Sequence, residues 1–266
     1  GPEYDGVLRE VYTHVSQKDI FKPRNILIAI FRDALADTKP LWKLVSRHIN
    51  QQMLQAVAAE HQKGRMLLIG TTDLDSRRGV IWNMGKIASS GDPKALDLFR
   101  SILIASAAIP GAFPPVLIDV EAQGKQYQEM HVDGGTVAQV FVYPPSFELG
   151  KLSEEMGAAR ERRLYIIRND RLDPDRTEVD RRVMSIAGAA ISSLVRTQGL
   201  GDLYQIYLTA QRDGLEYKLA YIPPTFNYPH KTDFDTEYMN QLFNYGYNLA
   251  REGYVWDKAP PGFKDQ

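Results

Sequence analysis

Between Arg65 and Thr72 the chain reads RMLLIGTT, a short apolar run with no polar alternation. A run of this kind marks a strand buried on both faces, and a sheet covered on both faces is typically parallel, with helices on either side. Leu164-Tyr-Ile-Ile167 repeats the pattern. Helical periodicity lies around these runs. Leu41, Val45, Ile49, Met53 and Val57 recur every four residues after Pro40, which predicts one helix over 39–62 ended by Gly64. Asp92-Pro93 opens a second helix through Leu96, Phe99, Leu103 and Ala107, stopped by Pro110. Val183, Ala187, Ala190, Ile191 and Leu194 form a third stripe. Beyond Gly199 and Gly201 a further helical stretch resumes through Leu203, Ile206, Tyr207 and Ala210. Shorter amphipathic helices are expected over 4–14, with Val7, Leu8, Val11 and Tyr12 inward, and over 236–251. Ala122-Gln-Gly-Lys125 joins two strand candidates, 116–120 and 126–132, as a hairpin. Strands alternating with helices predict an α/β fold with a largely parallel central sheet flanked by helices, and residues 1–266 are expected to form a single domain.

Composition narrows the function. With 32 Lys+Arg against 33 Asp+Glu the formal net charge is -1, so no long-range positive field exists to collect phosphates, which argues against nucleic-acid binding. The charge run from Lys151 to Arg182 mixes nine basic with eight acidic residues and nearly cancels, as on a solvated face. Zero cysteine excludes disulfides, iron–sulfur clusters and thiol nucleophiles together. No stretch approaches the ~18 to 20 apolar residues of a membrane span. Gly1 is not an initiating methionine and Gly1-Pro2 has the form of a protease scar, so a native segment is expected upstream.

Asp133 is the foremost candidate for chemistry. It ends a strand and is followed by Gly134 and Gly135, which places a carboxylate where sites collect in open α/β sheets. A plain Asp-Gly-Gly turn accounts for the same three residues. His131, two residues earlier, shares the strand face of Asp133, with a hydrogen-bonding role favoured over a catalytic one. Asp73-Leu-Asp75 has the spacing of a D-x-D magnesium site, but no phosphate-cradling loop accompanies it. Gly199-Leu-Gly201 lacks both a third glycine and a preceding strand, so it is no dinucleotide fingerprint. Ser106 lies at the end of an apolar helix, without the strand–elbow–helix setting of a nucleophile. Residues 21–45, with Ile26 to Phe31 apolar, read as a packed helix pair or as a lid. The aromatic C-terminus (Tyr238, Phe243, Tyr245, Tyr247, Tyr254 and Trp256) reads mainly as packing and secondarily as a lipid-contact surface.

Four segments together, Leu67-Leu-Ile-Gly-Thr-Thr-Asp-Leu74, Ile81-Trp-Asn-Met-Gly85, Ala105-Ser-Ala-Ala-Ile-Pro-Gly-Ala-Phe-Pro-Pro115 and His131-Val-Asp-Gly-Gly135, resemble the patatin-like phospholipase family in order and spacing. Tyr245-Gly-Tyr and the stretch from Trp256 to Phe263 resemble a bacterial branch of it. The resemblance implies a lipid acyl hydrolase with a Ser/Asp dyad, in which a serine in a G-x-S-x-G elbow attacks an ester carbonyl and Asp133 takes its proton. Gly134 and Gly135 would let the carboxylate approach. It implies no cofactor and no metal, and a phospholipid or other acyl-lipid substrate, for which the aromatic C-terminus offers a membrane-surface contact. The chain departs from the family in carrying neither G-x-S-x-G nor a glycine-rich oxyanion loop. The resemblance therefore places the serine upstream of Gly1, together with central strands that would cover Met66 to Ile69. A non-catalytic lipid-binding or scaffold relative is the alternative that the missing motif leaves open.

Overall fold

The protein is described by a computed structural model covering residues 2–25, 33–143, 149–150, 161–173, 178–229 and 232–263, without the side chains of residues 122 and 184. Residues 26–32 of the lid reading, and 151–160 and 174–177 of the charge run, fall outside the described residues. The chain divides into two compact units, one of residues 14–138 with 233–235, the other of 1–13, 139–232 and 236–266.

The first unit is built on four antiparallel strands, β3 (Leu68–Asp73), β4 (Arg78–Asn83), β5 (Val116–Ala122) and β6 (Lys125–Asp133), in the order β4-β3-β6-β5. The expected parallel central sheet is thus corrected: among the described residues the only parallel pair is β7 (Arg163–Arg171) with β8 (Glu216–Ile222), in the other unit. Chain connectivity explains the difference. Two of the three pairings are hairpins, which can only run antiparallel. Gln123 (φ 52°) and Gly124 (φ 74°) make the two-residue turn between β5 and β6, with Ala122 opposite Lys125, so the hairpin expectation holds. A short strand pair, β1 (Lys22–Pro23) with β2 (Ala36–Asp37), is antiparallel as well.

The RMLLIGTT run is not buried throughout. Met66 is 70% exposed and Leu67 is exposed too, whereas Thr71, Thr72 and Asp73 at the polar end of the strand are buried. Val116, Ile118, Ile69 and Trp82 pack with Phe99, Ile102 and Ala105 of the helix Ala95–Ala105 and with Leu54 and Met84 to form the core of this unit. Residues 39–62 form two helices, Lys39–His48 and Gln51–Gln62, not one. Asn50 causes the break: its side-chain oxygen accepts from Met53 N–H at 3.0 Å, capping the second helix where the four-residue periodicity would have continued the first.

The other unit packs the helix Val183–Arg212 on β7 and β8 through Leu203, Ile206, Ala210, Ile166, Tyr217 and Leu219. Gly199 and Gly201 lie inside this helix and do not divide it. At 30 residues it is ~45 Å long, whereas the strands of seven and nine residues reach only ~24–30 Å. The strands therefore cover its C-terminal half. The stripe expected at 183–194 is open instead, with Val183 at 82% exposure and Ala187, Ala190, Ile191 and Leu194 exposed. Val7, Leu8 and Tyr12 of the helix Asp5–His14 are exposed in the same way. The C-terminal segment runs beside β8 through the Leu219–Asp257 bridge, and its aromatic side chains find ring partners: Trp256 meets Tyr165 and Tyr254, and Phe263 meets Tyr204 and Tyr207.

Candidate active site

Asp133 is the last residue of β6, opposite Thr71 of β3, at the point where the chain leaves the sheet in a single 3-10 turn, Gly134–Thr136. Its backbone and side chain are both held. The Asp133 N–H donates to Ala108 O at 2.9 Å. Its carbonyl accepts the Thr72 hydroxyl at 3.0 Å, and its Oδ1 accepts the Gly135 N–H at 2.7 Å. Oδ2 makes no hydrogen bond among the described residues, so one carboxylate oxygen is fixed and the other is open. Burial pushes the Asp133 carboxyl above its ordinary value, and the Gly135 N–H pulls part of the way back. A half-buried carboxylate with a free oxygen and a raised affinity for protons can act as a general base.

The two glycines serve different ends from the sharp turn expected of them. Neither has positive φ. A Cβ on Gly134 would stand 2.6 Å from Gly70 O and 2.8 Å from Gly70 C, so the turn presses directly on the backbone of β3 and only glycine fits. Gly135 contributes its N–H to Oδ1. Thr72, Ala108 and Gly70 were not singled out from the sequence. A glycine inside an apolar strand run is the one signal that could have pointed to the close approach.

His131 is fully buried and engaged elsewhere. Its Nδ1 lies 3.0 Å from Thr71 Oγ1 and its Nε2 3.2 Å from Glu129 Oε2, while its ring meets Trp82 edge-on at 5.4 Å. Trp82 Nε1–H donates to the same Thr71 hydroxyl at 2.7 Å. This closed network places His131 in the hydrogen-bonding role, with no bond to Asp133. Asp73 and Asp75 are likewise spent on local structure. Asp73 accepts from the Asp75 N–H at 3.0 Å and from the Ser76 hydroxyl, and Asp75 accepts from the Met130 N–H at 2.9 Å. Burial alone would raise the Asp73 carboxyl, but those donors outweigh it and hold the group below its ordinary value. Among the described residues no group of three His, Asp or Glu side chains could hold a metal ion. Ser106 is the C-cap residue of the helix Ala95–Ala105 and makes no hydrogen bond with Asp133.

The fold is mixed α/β, with a half-buried carboxylate at the end of an antiparallel strand. The chain belongs to the patatin-like phospholipase family, whose sequence model matches residues 4–144, just over half of its length. That family is generally one of hydrolases acting on lipids. The matched region takes in β3 to β6 and Asp133. Comparison with the curated proteins returns no match. No described helix is long and apolar enough to cross a membrane.

Proposed function

We propose that the protein hydrolyses acyl esters of phospholipids or related acyl lipids through a Ser/Asp dyad, that Asp133 is the base, and that residues 1–266 serve one catalytic domain. The observation that carries the reading is the Asp133 carboxylate itself, with Oδ1 tied to Gly135 and Oδ2 open, inside the region that matches the family. A serine hydroxyl is a weak nucleophile until a base takes its proton, and a carboxylate of raised pKa is sufficient for that step. As the serine oxygen bonds to the ester carbonyl carbon, its proton passes to Asp133 Oδ2. Backbone N–H donors meet the charge on the tetrahedral oxygen. Collapse breaks the bond to the leaving alcohol, which recovers the proton, and water then releases the fatty acid from the acyl-serine by the same path. Gly134 and Gly135 bring the carboxylate to the serine. Since the 266 residues hold no G-x-S-x-G, the serine is proposed to lie in a segment N-terminal to residue 1, and the substrate to be met at a lipid surface.

The test is to treat the full-length protein with a fluorophosphonate probe and to assay it for fatty-acid release from phosphatidylcholine vesicles. Release, together with a labelled serine in a G-x-S-x-G peptide outside residues 1–266, is expected. No label and no release would overturn the reading and leave a non-catalytic lipid-binding relative.

A further inference from the structure

We infer that Thr72 is a positioning residue for the base: its hydroxyl, bonded to the Asp133 carbonyl, sets the direction in which the Asp133 carboxylate points. The inference rests on the assignment of Asp133 as base. Sheet pairing between β3 and β6 covers only Thr71 to Asp73 opposite His131 to Asp133, and it ends at the residue whose side chain matters. At the end of a ladder a carbonyl loses its strand partner and must find another or face water. The Thr72 hydroxyl supplies that partner at 3.0 Å, from a side chain only 2% exposed.

Three further restraints converge on the same residue. Its N–H is held by Ala108 O, its Oδ1 by the Gly135 N–H, and the next residue is wedged on the Gly70 carbonyl. Of these restraints the Thr72 bond is the only one supplied by a side chain other than that of Asp133, and so the one a single substitution can remove while leaving both the Asp133 carboxylate and the backbone groups in place. Asp133 has φ -48° and ψ 132°, an extended residue leading into a 3-10 turn. Without the hydroxyl its carbonyl is free to rotate, ψ changes, and with it the alignment of Gly135 N–H on Oδ1 and the aim of Oδ2.

Thr71 provides an internal control. Its hydroxyl is as deeply buried, one residue away, yet it serves His131 and Trp82 rather than Asp133. In the full-length enzyme, Thr72→Val removes the hydroxyl at constant shape. Assayed on a p-nitrophenyl fatty-acid ester, it is expected to lower kcat ~10- to 100-fold, the size of effect that follows from misplacing a reacting group by about 1 Å. KM should stay unchanged. The acid limb of the kcat–pH profile should move to higher pH as the Gly135 bond to Oδ1 loosens, and Thr72→Ser should restore both. Thr71→Val should lower Tm while leaving kcat and the pH profile in place. Should Thr72→Val not fold, Thr72→Ala carries the same comparison.

A Thr72→Val enzyme with wild-type kcat and profile, or a Thr72→Ser enzyme no better than Thr72→Val, would overturn the role. So would a Thr71→Val enzyme with the same kcat loss as Thr72→Val, since burial alone would then explain both. Asp133→Asn, assayed in parallel, separates the two levels: a fully active Asp133→Asn removes the base and the inference with it. An inactive Asp133→Asn beside an unimpaired Thr72→Val removes only the role of Thr72.

Discussion

In the proposed mechanism a carboxylate takes a proton from serine, and burial raises the affinity of Asp133 for that proton. The same burial opposes folding. A folded-state pKa above the unfolded one means that stability is greatest while the group is protonated and is lost as pH rises through the folded pKa. At neutral pH ionised Asp133 is therefore a liability to the fold. Asp133→Asn keeps a side-chain oxygen to accept the Gly135 N–H and sheds the buried charge, so its Tm at pH 7 should equal or exceed that of the unsubstituted protein. Gly134 is constrained from the opposite side. Gly134→Ala forces a methyl carbon to within 2.6 Å of Gly70 O. Its expected cost in urea unfolding is ~1–3 kcal/mol, as for overpacking generally. An unchanged unfolding midpoint would show that β3 and the turn can part. The strand end at Asp133 was legible in the sequence because a strand, an acid and two glycines stand in a row. The reason for the glycines was harder to read, since Gly70 inside the apolar run hints at a close approach but its partner Gly134 lies 64 positions away.

At the scale of elements, local chemistry was read correctly at the hairpin turn and misread at the Asn50 cap. The Gln123-Gly124 turn joins its two strands as expected: Gly124 takes positive φ at no steric cost, and Gln123 adopts it beside it in the two-residue hairpin. The 39–62 helix divided because apolar periodicity continues through a residue that prefers to cap. Asn50→Ala removes the bond to Met53 N–H and should cost ~1 kcal/mol of stability, measurable as a lowered urea midpoint. If the midpoint does not move, the break has another cause. Gly199 shows the converse case. Inside the helix Val183–Arg212 its missing side chain leaves room for Gln139 and Arg168, whose atoms a Cβ would meet at 2.0 and 2.6 Å. A stop signal in the sequence was in fact a packing site.

At the scale of the whole molecule, the sheet expected to be parallel was misread because a continuous apolar run reports hydrophobicity and not strand direction. RMLLIGTT has the composition of a parallel core strand, yet the Arg78–Asn83 strand returns beside it after four residues and fixes an antiparallel ladder. Acid sensitivity also belongs to this scale. Arg212 pairs with buried Asp213 at 2.9 and 3.0 Å, the Tyr143 hydroxyl donates to it at 2.6 Å, and together they hold its carboxyl well below the ordinary range despite burial. A depressed folded pKa contributes stability that is present above the unfolded value of ~3.9 and lost as pH falls below it. Asp213→Asn should therefore lower Tm at pH 7 and flatten its dependence on pH below about 4. An equal slope in both proteins would assign acid unfolding to other groups. The central claim, that a family of lipid hydrolases here uses Asp133 as its base, is met most directly by the kcat of full-length Asp133→Asn on a p-nitrophenyl fatty-acid ester, with Tm recorded on the same sample. Loss of a general base predicts a fall of at least ~100-fold with Tm at pH 7 undiminished. Turnover near that of the unsubstituted enzyme, in a variant that melts normally, would contradict it.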